Sequence, residues 1–109
     1  MALPAHYRLR SERDFERVFR EGKTVRGSFL LLKILESKLI YPRFGFIVPA
    51  KVVPKAVQRN AVRRILARII QDNIPRLISA YDIVILVSRL PVKIEDFSSE
   101  LSMLITKIH

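Results

Sequence analysis

The sequence predicts an α+β fold, because the spacing of its apolar residues changes from helical to strand-like and back again. Near the N-terminus Phe15, Val18 and Phe19 recur at helical spacing, whereas residues 23–48 carry short apolar runs separated by glycine and proline. Helical spacing returns in the middle of the chain, ahead of an apolar, β-branched run at residues 81–88. The predicted order of elements is α-β-β-β-α-β-α, packed as a sandwich of sheet and helices.

The first helix is predicted from Glu12 to Glu21. Ser11 stands at its N-cap position, and Asp14 takes the place of the Glu or Gln of a capping box. Gly22 is a natural stop for this helix. The segment that follows, as far as residue 48, is predicted to form two or three antiparallel strands.

The second half of the chain predicts a helix, a strand and a final helix. The central helix is expected from about Lys55 to Asp72, with Pro54 suited to its first turn. The strand from Tyr81 to Ser88 is apolar without alternation, which predicts burial on both faces. The last helix is predicted from apolar residues at helical spacing, namely Phe97, Leu101, Leu104, Ile105 and Ile108.

Length and composition predict a single domain spanning residues 1–109. Half of the 109 residues are apolar, and there is no cysteine, so packing alone is expected to hold the fold together. The absence of cysteine also favours the reducing environment of the cytoplasm. The N-terminus lacks the apolar stretch of a signal peptide, and no apolar run is long enough to cross a bilayer. No membrane association is expected.

The positive charge is concentrated in the middle third of the chain. The formal net charge is +10, and residues 37–71 contain eight Lys or Arg and no Asp or Glu. A surface kept basic only for solubility would be expected to mix both signs. The charge block therefore predicts a polyanionic partner, with nucleic acid ahead of an anionic membrane.

The central helix is predicted to be amphipathic. At about 100° per residue, one side gathers Ala61, Val62, Ile65, Leu66 and Ile69. The opposite half carries Arg59, Asn60, Arg63, Arg64 and Arg68. An ordinary solvated helix face would place Glu four residues from a cation, and no acid occurs between Glu36 and Asp72. Since the planar fork of arginine suits phosphate oxygens, the pattern favours nucleic-acid contact.

The aromatic residues have two interpretations. Phe15 and Phe19 lie one helical turn apart, and Phe44 and Phe46 share one face of a predicted strand. Burial in the core is the more frequent role of any one of them. The alternative is that some line a groove on which unpaired bases stack.

No catalytic constellation is recognisable. The two histidines, His6 and His109, lie near the two ends, and there is no Gly-rich phosphate loop, HExxH motif or nucleophile elbow. Ion pairing and helix capping explain Asp14, Glu21 and Asp82 better than acid-base chemistry does. We therefore predict no catalytic residue and no metal ligand in this chain, and expect any reacting groups to lie on a partner.

The segment AVQRNAVRRILAR resembles the basic helix of the bacterial ribonuclease P protein subunit. The opening RLRSERDFERVFREG is similar to the start of that family, RFGFIV to the strand entering the motif, and DIVILVSR to its last strand. The chain departs from the family pattern at Ala61, at Pro54 and at Ile69. The positions that match its basic motif are Arg59, Asn60, Arg63, Arg64 and Arg68, with Lys51 in the preceding loop.

The resemblance implies a ribosomal-protein-S5-domain-2-like fold with a left-handed βαβ crossover. It also implies the protein subunit of a ribonucleoprotein that removes the 5′ leader of precursor tRNA by endonucleolytic cleavage. The catalytic groups and the Mg²⁺ are then expected in the RNA subunit, with no cofactor held by the protein. The implied partners are the catalytic RNA and precursor tRNA, with no membrane and no protein partner.

The same resemblance implies two sets of binding residues. The leader-binding cleft is expected to contain Phe15, Phe19 and Arg8. The contact to the catalytic RNA is expected to consist of Lys51, Lys55, Arg59, Asn60, Arg63, Arg64 and Arg68. One alternative is a structural RNA-binding module of ribosomal-protein type without a processing role. A peripheral membrane protein is a second, although the apolar face of the central helix lacks the Trp or Phe expected for insertion.

Overall fold

The computed structural model describes residues 4–73 and 80–108, which form a four-stranded sheet and three α-helices in the predicted order. A short 3-10 turn (Ala5–Tyr7) precedes the first helix. The helices are α1 (Glu12–Glu21), α2 (Ala56–Asn73) and α3 (Glu95–Ile105), and the strands are β1 (Lys23–Arg26), β2 (Leu30–Glu36), β3 (Arg43–Ile47) and β4 (Tyr81–Val87). The predicted α+β class is confirmed, and α1 has the predicted bounds.

The sheet has the strand order β1-β2-β4-β3. β1 and β2 form an antiparallel hairpin, as predicted, and β4 pairs antiparallel with β2. The antiparallel pairing expected from the apolar pattern is wrong for β3, which pairs in parallel with β4, as the βαβ unit implied by the resemblance requires. Parallel neighbours require a long crossover, and α2 supplies it between β3 and β4. β4 thus lies inside the sheet, which explains why it is buried on both faces.

One face of the sheet is covered by α2 and α3 and holds the main core. On this face β2 contributes Leu30, Leu32 and Ile34, because alternate residues of a strand point to the same side. The rest of this core comes from β3, β4 and the two helices and includes Phe44, Ile83, Ile85, Leu66, Ile70, Phe97, Leu101 and Leu104. Phe44 and Phe97 are therefore core residues.

Among the described residues, the opposite face is covered by α1 and by Leu9 of the segment before it. Its buried apolar cluster is small and consists of Leu9, Val18 and Val84, with half-buried Phe15, Phe19, Leu35 and Ile47 around it. α1 begins as predicted, since the Ser11 hydroxyl accepts a hydrogen bond from the Asp14 amide at 3.4 Å. It ends at Gly22, whose amide donates to the Val18 carbonyl at 2.8 Å. Part of this sheet face therefore remains accessible beside α1.

A buried carboxylate ties α3 to the β1–β2 turn. The Glu100 side chain accepts hydrogen bonds from the backbone amides of Ser28, Phe29 and Leu30 at 2.5, 2.8 and 2.7 Å. Gly27 lies beside the same carboxylate, which occupies the place of any Cβ at that position. Local sequence patterns do not reveal this role of Glu100, because its partners lie about seventy positions away in the sequence.

No helix among residues 4–73 and 80–108 is long and apolar enough to cross a membrane.

Glu100→Ala should lower the free energy of unfolding by roughly 2–4 kcal/mol, because three backbone amides lose their acceptor. Glu100→Gln should cost less, since the amide oxygen still accepts. Urea unfolding followed by circular dichroism measures both. The control Glu36→Ala removes an exposed carboxylate and should change stability by less than about 0.5 kcal/mol; equal losses for the two alanine variants would contradict this role.

Candidate nucleic-acid interface

The exposed side of α2 is basic, as predicted, but its buried side is rotated from the expected position. Ala61, predicted to face the core, is exposed, whereas Ala67 and Ile70 are buried. Arg63 lies four and seven residues before these two, hence on nearly the same side of the helix. This rotation explains why Arg59 and Arg63 are half-buried at the edge of the core. The exposed members of the predicted basic set are Lys51, Lys55, Asn60, Arg64 and Arg68.

The cations of α2 and of the loop before it form no ion pair with any acid that the structure describes. Within residues 4–73 and 80–108, the ion pairs involve Arg17, Arg20 and Arg43, and none involves a cation of the predicted basic set. Asp72 and Glu95 do line a groove with Arg64 and Arg68 between α2 and α3, without a contact short enough for an ion pair. The positive charge of this surface is therefore available to an external polyanion.

Arg59 has a structural role that the sequence did not reveal. Its Nη1 donates hydrogen bonds to the carbonyl oxygens of Val53 and Pro54 at 3.0 and 2.8 Å. These bonds hold the loop before α2 against the first turn of the helix. Lys51 and Lys55, both exposed, lie in this loop, so Arg59 helps to set their position.

Arg63 and Asn60 are joined on the surface of α2. Arg63 Nη1 donates to Asn60 Oδ1 at 2.9 Å, which orients the guanidinium along the helix. The bond occupies the amide oxygen of Asn60 and leaves its NH₂ group as a donor. Both side chains can therefore offer donors to an anion.

A cavity of about 370 Å³ at the β3 edge of the sheet connects the two predicted sets of site residues. Arg8 and Phe15 of the predicted leader cleft line it together with Arg63 of the basic helix. The complete lining is Arg8, Leu9, Arg10, Phe15, Phe44, Gly45, Phe46 and Arg63. Sequence reasoning missed Arg10; its spacing of two from Arg8 in an extended segment was the available signal.

The three predicted cleft residues are only partly brought together. Phe15 packs over Gly45, and its ring occupies the space that a Cβ there would need. Arg8 reaches the same cavity because its backbone pairs with Phe44 at the edge of β3. Phe19 lies one turn further along α1, half-buried beside Val18 and outside this cavity.

The guanidinium group of Arg43 is hydrogen-bonded to the buried carboxylate of Asp82. It donates from Nε and Nη2 to the two oxygens of Asp82 at 2.9 and 2.8 Å. The hydrogen bond to Asp82 raises the pKa of Arg43 above its usual value, against the opposing effect of burial. Arg43 thus lies near the site without being free to bind an anion.

The described residues contain no group of three or more His, Cys, Asp or Glu side chains that could hold a metal ion. His6 packs against Tyr7 and Tyr41, with ring centroids 4.0 and 5.2 Å away. His109 lies outside the described residues.

The fold and surface define a class: a small α+β protein with an exposed basic helix, free of ion pairs within the described ranges, and an aromatic cavity beside it. A family model described as Ribonuclease P matches residues 3–109. The chain is 36% identical over 88 residues to the ribonuclease P protein component of Synechocystis sp., which covers 80% of this chain and 71% of that protein. It is 32% identical over 113 residues to the corresponding protein of Microcystis aeruginosa, and this match covers 98% of this chain and 94% of that protein.

Solved structures agree with this comparison. The RNase P protein from Thermotoga maritima, in complex with 1-(4-fluorophenyl)-2-thiourea, is 28% identical and superposes with a TM-score of 0.86 over 94% of this chain and 100% of that one. The RNase P protein of Staphylococcus aureus, at 23% identity and a TM-score of 0.82 over 93% and 94% of the two chains, supports the fold alone. The chain belongs to the ribonuclease P protein component family.

Truncation of Arg59 and truncation of Arg64 are expected to have different effects on the free energy of unfolding. Arg59→Ala should lower the free energy of unfolding by about 1–3 kcal/mol, because two loop carbonyls lose a charged donor. Arg64→Ala removes an exposed side chain and should change it by less than about 0.5 kcal/mol. Urea unfolding of the free protein measures both, and similar values for the two variants would argue against the anchoring role of Arg59.

Proposed function

We propose that this chain is the protein subunit of ribonuclease P. In this role α2 and the loop before it bind the catalytic RNA, and the cavity beside α1 binds the 5′ leader of precursor tRNA. The holoenzyme removes the leader by endonucleolytic cleavage. The reacting groups and their Mg²⁺ reside in the RNA, while the protein contributes binding and orientation. Membership in the family supports a role in the ribonuclease P holoenzyme. The placement of the residues described above supports separate surfaces for the catalytic RNA and for the leader.

The observation that carries the proposal is the exposed, unneutralised charge of α2. Arg64 and Arg68 project from the helix without an ion pair to any described residue, and Arg63 is oriented by Asn60. An RNA backbone supplies regularly spaced phosphates, and releasing its counterions drives binding. Guanidinium groups match phosphate oxygens in geometry as well as charge.

The cavity beside α1 has the chemistry expected for a single strand. Phe15 provides an aromatic face, and Arg8, Arg10 and Arg63 provide positive charge around it. Aromatic stacking with flanking cations is the usual means of holding unpaired nucleotides without sequence preference.

The direct test is reconstitution. Adding the purified chain to ribonuclease P RNA and precursor tRNA at low Mg²⁺ should increase 5′ cleavage. No increase would refute the subunit role and favour a structural RNA-binding module. Cleavage by the protein without RNA would refute the assignment of the chemistry to the RNA.

Replacing Arg63 and Arg64 together by Ala should weaken binding to the catalytic RNA. The logarithmic dependence of affinity on salt should flatten by up to about one unit for each phosphate that the variant no longer binds. Filter binding across a salt series measures the slope. Lys38→Ala with Lys107→Ala removes the same charge from exposed positions outside α2 and should leave the slope nearer the original. An unchanged slope in the arginine variant would mean that these side chains bind no phosphate.

Phe15→Ala should reduce affinity for precursor tRNA more than affinity for the catalytic RNA, because the Phe15 ring lines the cavity assigned to the leader. Loss of one stacked base costs about 1–3 kcal/mol. Holoenzyme binding to precursor tRNA and to mature tRNA, compared by gel shift, isolates the contribution of the leader. Because Phe15 is half-buried, thermal unfolding of the variant is the control. Equal losses for both RNAs would indicate a general loss of structure instead of a leader contact.

A further inference from the structure

Asp82 is a charged residue in the interior, on the central strand β4. Its side chain has 0% exposed surface, and it lies on the sheet face covered by α1. Burying a carboxylate is unfavourable unless its charge is paired and its oxygens are hydrogen-bonded. Its position therefore needs an explanation beyond packing, since its neighbours in β4 are apolar.

The sheet provides the first partner of Asp82. Arg43 lies directly opposite on β3 and binds both carboxylate oxygens, from Nε to Oδ1 at 2.9 Å and from Nη2 to Oδ2 at 2.8 Å. Such a bidentate pair is strong, and it also fixes the relative orientation of the two side chains. The pair by itself neutralises the buried charge.

The helix provides the other partners. Arg17 of α1 donates from Nη2 to Asp82 Oδ2 at 3.2 Å, and Arg43 Nη1 lies 3.4 Å from Oδ2 of Asp14, also on α1. Arg17 Nη2 and Asp14 Oδ1 are 3.7 Å apart. The four side chains alternate in sign and connect α1 to β3 and β4 by two independent links. We refer to Asp14, Arg17, Arg43 and Asp82 as the ion network.

Apolar contact alone defines the orientation of α1 weakly. The buried cluster beneath the helix has only three members among the described residues, Leu9, Val18 and Val84. Hydrophobic contact is non-directional, whereas ion pairs with fixed geometry specify angle and register. Arg17 even keeps a buried Nε without a partner in the described part of the chain, which is unfavourable for stability. The arrangement is thus better suited to orienting the helix than to stabilising it.

We propose that Asp82 and Arg17 are positioning residues for the leader cleft. Asp14 and Arg17 flank Phe15 in the sequence, so the ion network holds the ring of Phe15 over Gly45, against the cavity that also contains Arg8. A small rotation or slide of α1 carries this ring away from the cavity. This inference rests on the proposed function, because it assumes that the leader occupies that cavity.

Arg17→Gln is the principal test. It removes the link between α1 and Asp82 and leaves Asp82 paired with Arg43, so the fold is retained. Arg20→Gln is the matched control: it removes the same charge from the same helix, but the ion pair of Arg20 is with the exposed Glu21. Arg17→Lys retains the charge and is the rescue variant. Asp82→Asn, which removes the buried charge itself, is the second test.

The readout is the ratio of holoenzyme affinities for precursor and mature tRNA. Arg17→Gln should lower this ratio about five- to tenfold, raising KM with kcat little changed, because misplacement of a positioning group costs binding. The affinity for catalytic RNA should change by about twofold at most. Arg20→Gln should leave the ratio intact, and Arg17→Lys should restore part of it. Asp82→Asn should lower the ratio in the same direction.

A readout on the free protein is independent of RNA. With 4-fluorophenylalanine incorporated, the ¹⁹F signal of Phe15 should shift or broaden in Arg17→Gln and not in Arg20→Gln. An unshifted signal would overturn the inference. Equal changes of the affinity ratio in the two Gln variants, or a loss matched by weaker binding of catalytic RNA, would also overturn it.

The failure of this inference is distinguishable from the failure of the proposed cleft. If Phe15→Ala lowers the affinity ratio and Arg17→Gln does not, the cleft stands and the positioning role is refuted. If the ¹⁹F signal moves in Arg17→Gln while no variant alters the ratio, the ion network positions the helix but the leader binds elsewhere, which refutes the proposed cleft and the role in leader affinity together.

Discussion

The burial of one side of α2 is the constraint on which the surface of this protein depends. β3 and β4 are parallel, so the chain between them must cross over the sheet, and α2 is the helix that does so. Its apolar residues Val62, Leu66 and Ile70 pack into the main core. The cationic side chains of α2 therefore lie on its outer side or at the edge of the core. The packing that stabilises the domain therefore also creates its most concentrated positive surface.

The arginines of the chain have two different uses, which the net charge of +10 does not distinguish. Arg64 and Arg68 are exposed and have no ion pair within the described part of the chain, so their charge is available to an external anion. Arg17 and Arg43 each form an ion pair with the fully buried carboxylate of Asp82. Arg59 is intermediate, since it holds a loop through neutral carbonyl groups. A basic composition therefore indicates a polyanionic partner, but the folded structure identifies which side chains can meet it.

Much of the fold could be predicted from local patterns. The bounds of α1, its Ser11 cap, the helix α2 and the burial of β4 all depend on residues within one or two turns or strand positions of each other. The pairing of β3 could not be predicted in this way, because its apolar run is equally compatible with β2 or β4 as a neighbour. The role of Glu100 had no local signal either. Its three amide partners lie on a turn that only the folded chain brings within reach.

The sequence by itself determined that the chain is an α+β domain with a basic central helix and a pattern that resembles one bacterial family. The tertiary structure decided which residues of that helix are exposed, since the sheet and α3 together set its rotation, so that Ala61 is outside and Arg63 lies at the rim. It also decided that Arg8, Phe15 and Arg63 share one cavity and that Phe19 does not. The physical reason is that periodicity is encoded by near neighbours, whereas rotation and proximity result from contacts between distant segments.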